Sequence, residues 1–190
     1  MYVAFRRTGT RRYAVIVTAA GRPSRAMDPA PGYDDDIPHD LVHYVVEAAL
    51  GLTYGVYGSA ARGGGTFITT AERDVSARER AREQRKQQRR ERALRARDQS
   101  DAVEMARSER LAGICDVAWR RKHGQKPDPN RPAPLLPPED GADVERVVAR
   151  LDSIAPLWRA LLVGDELVFQ WPSVEPQRRS QRDAETRVKS

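Results

Sequence analysis

The chain has 190 residues, of which 39% are hydrophobic and 32% charged, and its formal net charge is +6. A mean hydropathy of −0.68 predicts one domain with appendages, whose core uses only part of the chain. The single cysteine, Cys115, excludes an intrachain disulfide and favours the cytoplasm, and no apolar run is long enough for a membrane span or a signal peptide.

The N-terminal region predicts a β-hairpin, because residues 2–7 and 11–18 are rich in β-branched and aromatic types around a turn at Gly9. An irregular loop follows, with Pro, Gly and Asp residues. Pro38 then begins a helix that Gly51 ends, since proline suits the first helical turn and glycine the left-handed position after the last one.

The segment "PHDLVHYVVE" is the strongest candidate for a functional site. On a helix, His39, His43 and Glu47 share one face with Asp40 and Tyr44, while the opposite face is apolar. This polar face contains no Lys or Arg, although the chain has 33 of them. Three interpretations stay open: a structural face of the helix, a metal site, and metal-free acid–base or ligand binding.

Histidines four residues apart can direct both imidazoles at one ion, as in the H-E-x-x-H helix of metalloproteases. We therefore predict His39, His43 and Glu47 as ligands of a divalent metal such as zinc, and His39, Asp40, His43 and Glu47 as candidate catalytic residues. His123 and the run Asp34–Asp36 are further candidate ligands. The aspartates could instead stabilise the positive end of the helix dipole.

The stretch "MDPAPGYDDDIPHDLVHYVVEAALGL", residues 27–52, resembles small bacterial proteins that share a P-H-D-L-V-H element. The resemblance implies that the acidic loop and the helix form one unit, and it implies no function. The glycine-rich residues 55–66 are predicted to be a flexible connection, with Arg62 and backbone amides as an alternative anion site.

A basic helix is predicted at about 71–98, beginning at the capping box Thr69–Glu72. Residues 78–97 contain ten Arg or Lys and three Glu, a net charge of +7, so the other 170 residues carry −1. This segment is either a solvated arm or a contact for nucleic acid or another polyanion. Its candidate contact residues are Arg78, Arg82, Arg85, Lys86, Arg89, Arg90 and Arg92.

Residues 103–119 predict an apolar helical face with Cys115 in the core. The long segment could break near 98–101, where "DAVE" at 101–104 would begin a second helix, or it could run through as one helix. A proline-rich linker at 124–138 leads to a helix at 140–161 that Pro156 should bend or interrupt. A strand at 166–171 should join the N-terminal hairpin. Residues 173–190 are predicted to be disordered.

These elements predict an α+β domain over residues 1–172, in which a small antiparallel sheet packs with three to four helices, one of them long and Arg-rich. The leading functional hypothesis is a small cytoplasmic protein that binds a polyanion, nucleic acid first, through that helix, which could also contact a protein partner; no membrane partner is expected. The alternative is a metal-assisted, hydrolase-like enzyme with its site at His39 and His43.

Overall fold

A computed structural model describes residues 1–64, 67–69, 99–126, 137 and 140–180. Within these ranges the strands are β1 (Tyr2–Gly9), β2 (Arg12–Thr18), β3 (Arg25–Met27), β4 (Ile68–Thr69), β5 (Glu166–Gln170) and β6 (Pro176–Arg179). The helices are α1 (His39–Leu50), α2 (Val56–Ala61), α3 (Gln99–Lys122) and α4 (Gly141–Arg159). The predicted basic helix, residues 70–72 of its capping box, most of the proline-rich linker and residues 181–190 lie outside the described residues, whereas Thr69 ends β4.

The described strands form one antiparallel sheet in the order β4-β3-β2-β1-β5-β6. The predicted hairpin is confirmed, with Val3 opposite Val17. The predicted C-terminal strand is β5, which pairs with β1 so that Val3 faces Phe169. The α+β class is therefore confirmed, although the sheet is wider than the three strands that the sequence predicts.

Aromatic contacts show how the helices cover one face of the sheet. Phe5 of β1 meets Tyr44 of α1 edge to face at 5.9 Å, and Tyr13 of β2 meets Trp158 of α4 at 5.8 Å. All four side chains are fully buried. Helix α3 packs against both α1 and α4. Helix α1 is therefore enclosed by the sheet on one side and by α3 and α4 on the others.

Helix α1 begins after Pro38, which occupies the N-cap with extended geometry, and ends at Gly51, whose φ of 67° is left-handed. Both boundaries confirm the prediction. The predicted helix near 140–161 is α4, but it continues through Pro156 to Arg159 without interruption. Burial of Ala155 and Trp158 on either side of the proline stabilises this last turn despite the missing backbone donor.

Several elements depart from the sequence prediction. The loop before α1 contains β3, and the glycine-rich connection contains α2. Helix α3 already includes residue 101, so no new helix begins at the "DAVE" segment. The prediction of disorder from residue 173 is wrong for residues 173–180, because β6 pairs with β5 from Phe169↔Pro176 to Glu166↔Arg179. Backbone pairing and an Arg178–Asp165 ion pair at 2.8 Å order this polar stretch.

Candidate functional site

The polar face of α1 is enclosed rather than solvated. His43 is 5% exposed, and Tyr44 and Glu47 are fully buried. The helical wheel correctly groups these side chains on one side, but it contains no information about a second helix packed over them. That helix is α3, which contributes Ser108 and Glu109 to this interface.

His39 and His43 are brought together as their four-residue spacing predicts. Their Nε2 atoms are 3.1 Å apart, and the rings meet edge to face with centroids 4.6 Å apart. The carboxylate of Glu109 lies on the outer side of the pair, with Oε2 3.6 Å from His43 Nε2. The nitrogen separation is within hydrogen-bond distance, and it also agrees with the roughly 3–3.5 Å expected between two imidazole nitrogens bound to one zinc ion.

Asp40 is oriented toward the sheet. Its Oδ2 accepts a hydrogen bond from the Tyr13 hydroxyl at 2.5 Å, and its carbonyl oxygen accepts one from Tyr57 at 2.9 Å. These bonds connect α1 to β2 and to α2. The predicted catalytic role of Asp40 therefore has less support than its role in positioning the start of α1.

Glu47 binds the N-terminus of α2. Its carboxylate accepts hydrogen bonds from the amides of Val56 at 2.6 Å, Tyr57 at 2.8 Å and Gly58 at 3.2 Å, and from Ser108 Oγ at 3.0 Å. Burial raises the pKa of Glu47 to about 7, and the four hydrogen bonds lower it only in part.

The engagement of Glu47 also answers the question of an anion loop at residues 55–66. The backbone amides of residues 56–58, which could hold a bound anion, already bind the carboxylate of Glu47. Arg62 stacks on the ring of Tyr54, 3.8 Å from its centroid. The described part of this segment is thus a built-in carboxylate site, occupied by the protein itself.

The predicted metal ligands are not brought together as one set. Among the described residues, which include His39, His43 and Glu47, no group of three or more His, Cys, Asp or Glu side chains could hold a metal ion. His123 is engaged at the end of α3, with Nε2 2.7 Å from Asp152 Oδ1. Within the part of the chain that the structure describes, the histidine pair is therefore not joined by the third ligand that a catalytic zinc requires.

The three aspartates before α1 contact three different arginines. Asp34 pairs with Arg120 at 3.2 Å, Asp35 lies 3.7 Å from Arg7, and Asp36 pairs with Arg159 at 3.1 Å. Asp34 Oδ1 also accepts hydrogen bonds from the backbone amides of residues 36 and 37. The acidic run therefore connects the start of α1 to β1, α3 and α4, and does not act only through the helix dipole.

A polar cavity of about 230 Å³ adjoins the histidine pair at His39. It is lined by Gly32, Tyr33, Asp34, His39, Asp116, Arg120 and Lys126. Arg120, whose side chain is 12% exposed, bridges the carboxylates of Asp34 and Asp116. Burial lowers the pKa of Arg120, but the hydrogen bonds and charges of Asp116 and Asp34 outweigh it, so the pKa of the guanidinium is raised.

Sequence reasoning missed the contribution of α3 to this site. Glu109, Asp116 and Arg120 are separated by seven and four residues, which places them on one face of a helix. This spacing was a detectable signal, but it gains meaning only when α3 is known to pack on α1. The predicted nucleic-acid contacts, from Arg78 to Arg92, all lie outside the described residues.

No family model, curated protein or solved structure matches this chain. Across the described residues, no helix is both long and apolar enough to cross a membrane.

Proposed function

We propose that the face of α1 is a metal-free site for a small polar molecule, in which the His39–His43 pair takes up and returns one proton. The observation that carries this proposal is the 3.1 Å separation of the two Nε2 atoms beside a cavity that His39 lines. Such a pair supplies acid–base chemistry, and the cavity supplies a place for its reaction partner.

The geometry of the pair limits how many protons it holds. In the neutral pair one Nε2 carries a hydrogen and donates a hydrogen bond to the Nε2 of the other ring. One added proton gives an imidazolium that donates to a neutral imidazole, which is a strong charge-assisted hydrogen bond. A second added proton would place two N–H groups against each other, so the pair should take up its two protons in well-separated steps. Glu109, 3.6 Å from His43, favours the singly protonated pair.

The proposal is tested by titrating the histidine rings with nitrogen-15 NMR between pH 5 and 9. We expect both rings of the pair to follow a shared first step and a second step at clearly lower pH. His123→Gln is the control, because it removes the remaining histidine and leaves the pair intact. If His39 and His43 titrate independently, each near the ordinary value of about 6.5, the proton-sharing function is excluded.

A second candidate function, binding of a polyanion by residues 78–97, is supported by the separation of charge along the chain. The +7 of this segment has no counterpart elsewhere, because the other 170 residues sum to −1. Many acids of the described part are also occupied by arginines of that part. Such pairs are Arg6–Glu166, Arg107–Asp143, Arg110–Asp140, Arg159–Asp36 and Arg178–Asp165.

Because residues 78–97 carry a net charge of +7, we propose that this segment binds nucleic acid through phosphate contacts. Affinity for a DNA or RNA oligonucleotide should then fall steeply with salt, and replacing Arg85, Arg89 and Arg92 by Gln should reduce the log–log slope by about 2–3. The control replaces three exposed arginines of the described part, Arg107, Arg146 and Arg150, by Gln, for the same change in charge. Absence of binding at about 50 mM salt would exclude this function.

A further inference from the structure

We propose that the cavity beside His39 binds a small zwitterion of the α-amino acid type, with its carboxylate at Lys126 and Arg120 and its ammonium group at Asp116. This inference names the ligand class of the site described under the proposed function. It rests on the proposed function in that His39 is expected to exchange its proton with the same ligand.

The cavity carries balanced charge. Its lining contains two carboxylates, Asp34 and Asp116, and two cations, Arg120 and Lys126. Because Arg120 already pairs with Asp34 and with one oxygen of Asp116, a ligand with a single charge could complement only Lys126 or the second oxygen of Asp116, whereas a ligand with one positive and one negative group complements both. The volume of about 230 Å³ is below the range of about 300–1,000 Å³ for sites of drug-sized ligands, which suits a molecule the size of an amino acid.

Hydrogen bonds within the wall determine which polar atoms are available to a ligand. Both oxygens of Asp34 are used, Oδ1 by the amides of residues 36 and 37 and Oδ2 by Arg120. Asp116 uses only Oδ1, which accepts from Arg120 Nε at 3.0 Å. Among the described residues Asp116 Oδ2 has no hydrogen-bond partner, so it is the acceptor that the wall presents to an ammonium group.

The donors follow from the same pattern. Arg120 donates through Nε to Asp116, and its Nη1 faces Asp34 and Gln125. Its remaining nitrogen, Nη2, contacts no acceptor within the described part of the chain. Lys126 is exposed at the edge of the cavity and forms no ion pair with any described residue. These two groups are the donors to which a carboxylate would bind.

The test compares three ligands that differ by one charge each: alanine, N-acetylalanine, which keeps only the carboxylate, and alaninamide, which keeps only the ammonium group. Binding is measured on the full-length protein by NMR shifts of the Gly32 and Lys126 amides. We expect alanine to bind about tenfold more tightly than either analogue, since a hydrogen bond to a charged group contributes roughly that factor.

Substitution of Lys126 assigns the orientation. Lys126→Gln should weaken the binding of alanine and of N-acetylalanine roughly fivefold and leave the binding of alaninamide unchanged. The matched control is Lys122→Gln, which removes a lysine of α3 that pairs with Asp152 outside the cavity. Asp116→Asn should show the opposite pattern: it should weaken the binding of alanine and of alaninamide and leave the binding of N-acetylalanine unchanged.

The outcomes separate this inference from the proposed function. If N-acetylalanine or alaninamide binds as well as alanine, or if no ligand shifts the cavity amides, the zwitterion site is excluded. The two-step titration of His39 and His43 would still stand in that case. If alanine binds as expected while the histidines titrate independently, the ligand class is upheld and the proton-exchange function is excluded.

Discussion

Ser108 donates a hydrogen bond to Glu47 across the interface of α3 and α1, with Oγ 3.0 Å from Oε1 and both residues fully buried. The same carboxylate caps α2 through the three amides of residues 56–58. One side chain therefore connects three helices. Because His43 lies one turn before Glu47 on α1, this connection also fixes the wall on which the histidine pair is placed.

The first prediction concerns the pH dependence of stability. Burial gives Glu47 a folded-state pKa of about 7, against an ordinary value of 4.5. Between these values the folded state holds the proton more tightly than the unfolded chain. The contribution of Glu47 to stability is therefore fully present below pH 4.5 and is lost as pH rises through 7, a loss of about 3 kcal/mol at most.

Glu47→Gln should remove this pH dependence, because the side-chain amide of glutamine does not titrate in this pH range. Urea unfolding at pH 5 and pH 8 gives the difference in the free energy of unfolding between the two pH values for each protein. Glu104→Gln is the control, since Glu104 also accepts two backbone amides, those of Thr53 and Tyr54, but is only partly buried. Equal pH differences in wild type and Glu47→Gln would contradict the assignment.

The second prediction concerns the glycine at position 58. A Cβ there would overlap the backbone of Thr53, which cannot move without displacing the α1–α2 connection. Gly58→Ala should lower the free energy of unfolding by about 1–3 kcal/mol, as overpacking does in a buried site. Gly141→Ala is the matched control, because a Cβ at the start of α4 meets nothing within 4 Å. Equal stability of the two variants would show that this close approach is not required.

The sequence predicted the parts of the molecule that depend on local pattern. Two stretches rich in β-branched and aromatic residues located β1 and β2, and Pro38 and Gly51 marked the ends of α1. The four-residue spacing of His39 and His43 correctly placed their rings in contact. In each case the signal lies within a few residues, where backbone geometry alone determines the outcome.

The remaining features depend on contacts between distant segments. Glu47 shares the helical face of the histidines in the sequence, yet its carboxylate binds residues 56–58, because α2 presents three amides to it. Glu109 and Arg120 join the site only because α3 crosses α1. Strand β6 has an exposed, polar sequence and is ordered by pairing with β5. No local pattern contains these partners.

The third prediction concerns the C-terminal segment. Deleting residues 174–190 removes β6, its ladder with β5 and the Arg178–Asp165 ion pair. We expect a loss of about 2 kcal/mol, which corresponds to a fall in the thermal midpoint of roughly 4–8 °C for a chain of this size. Deleting only residues 181–190 is the control, because every described contact of β6 remains. A thermal midpoint that is the same after both deletions would mean that β6 adds no stability.

The last prediction concerns His43, whose side chain is enclosed between α1 and α3. A solvated histidine could be replaced at little cost, but His43 is 5% exposed and contacts both His39 and Glu109. His43→Ala should therefore lower the free energy of unfolding by about 1–3 kcal/mol. His123→Ala, at a side chain that is 41% exposed, is the control and should cost less.

Zinc binding discriminates between the two chemical interpretations of the His39–His43 pair, a shared proton and a metal centre. Two imidazoles without a third ligand hold the ion weakly, so protein refolded with zinc and then dialysed should retain well under one ion per chain. Retention of one zinc per chain in wild type, abolished in His43→Ala and kept in His123→Ala, would replace the proton-sharing pair by a metal centre.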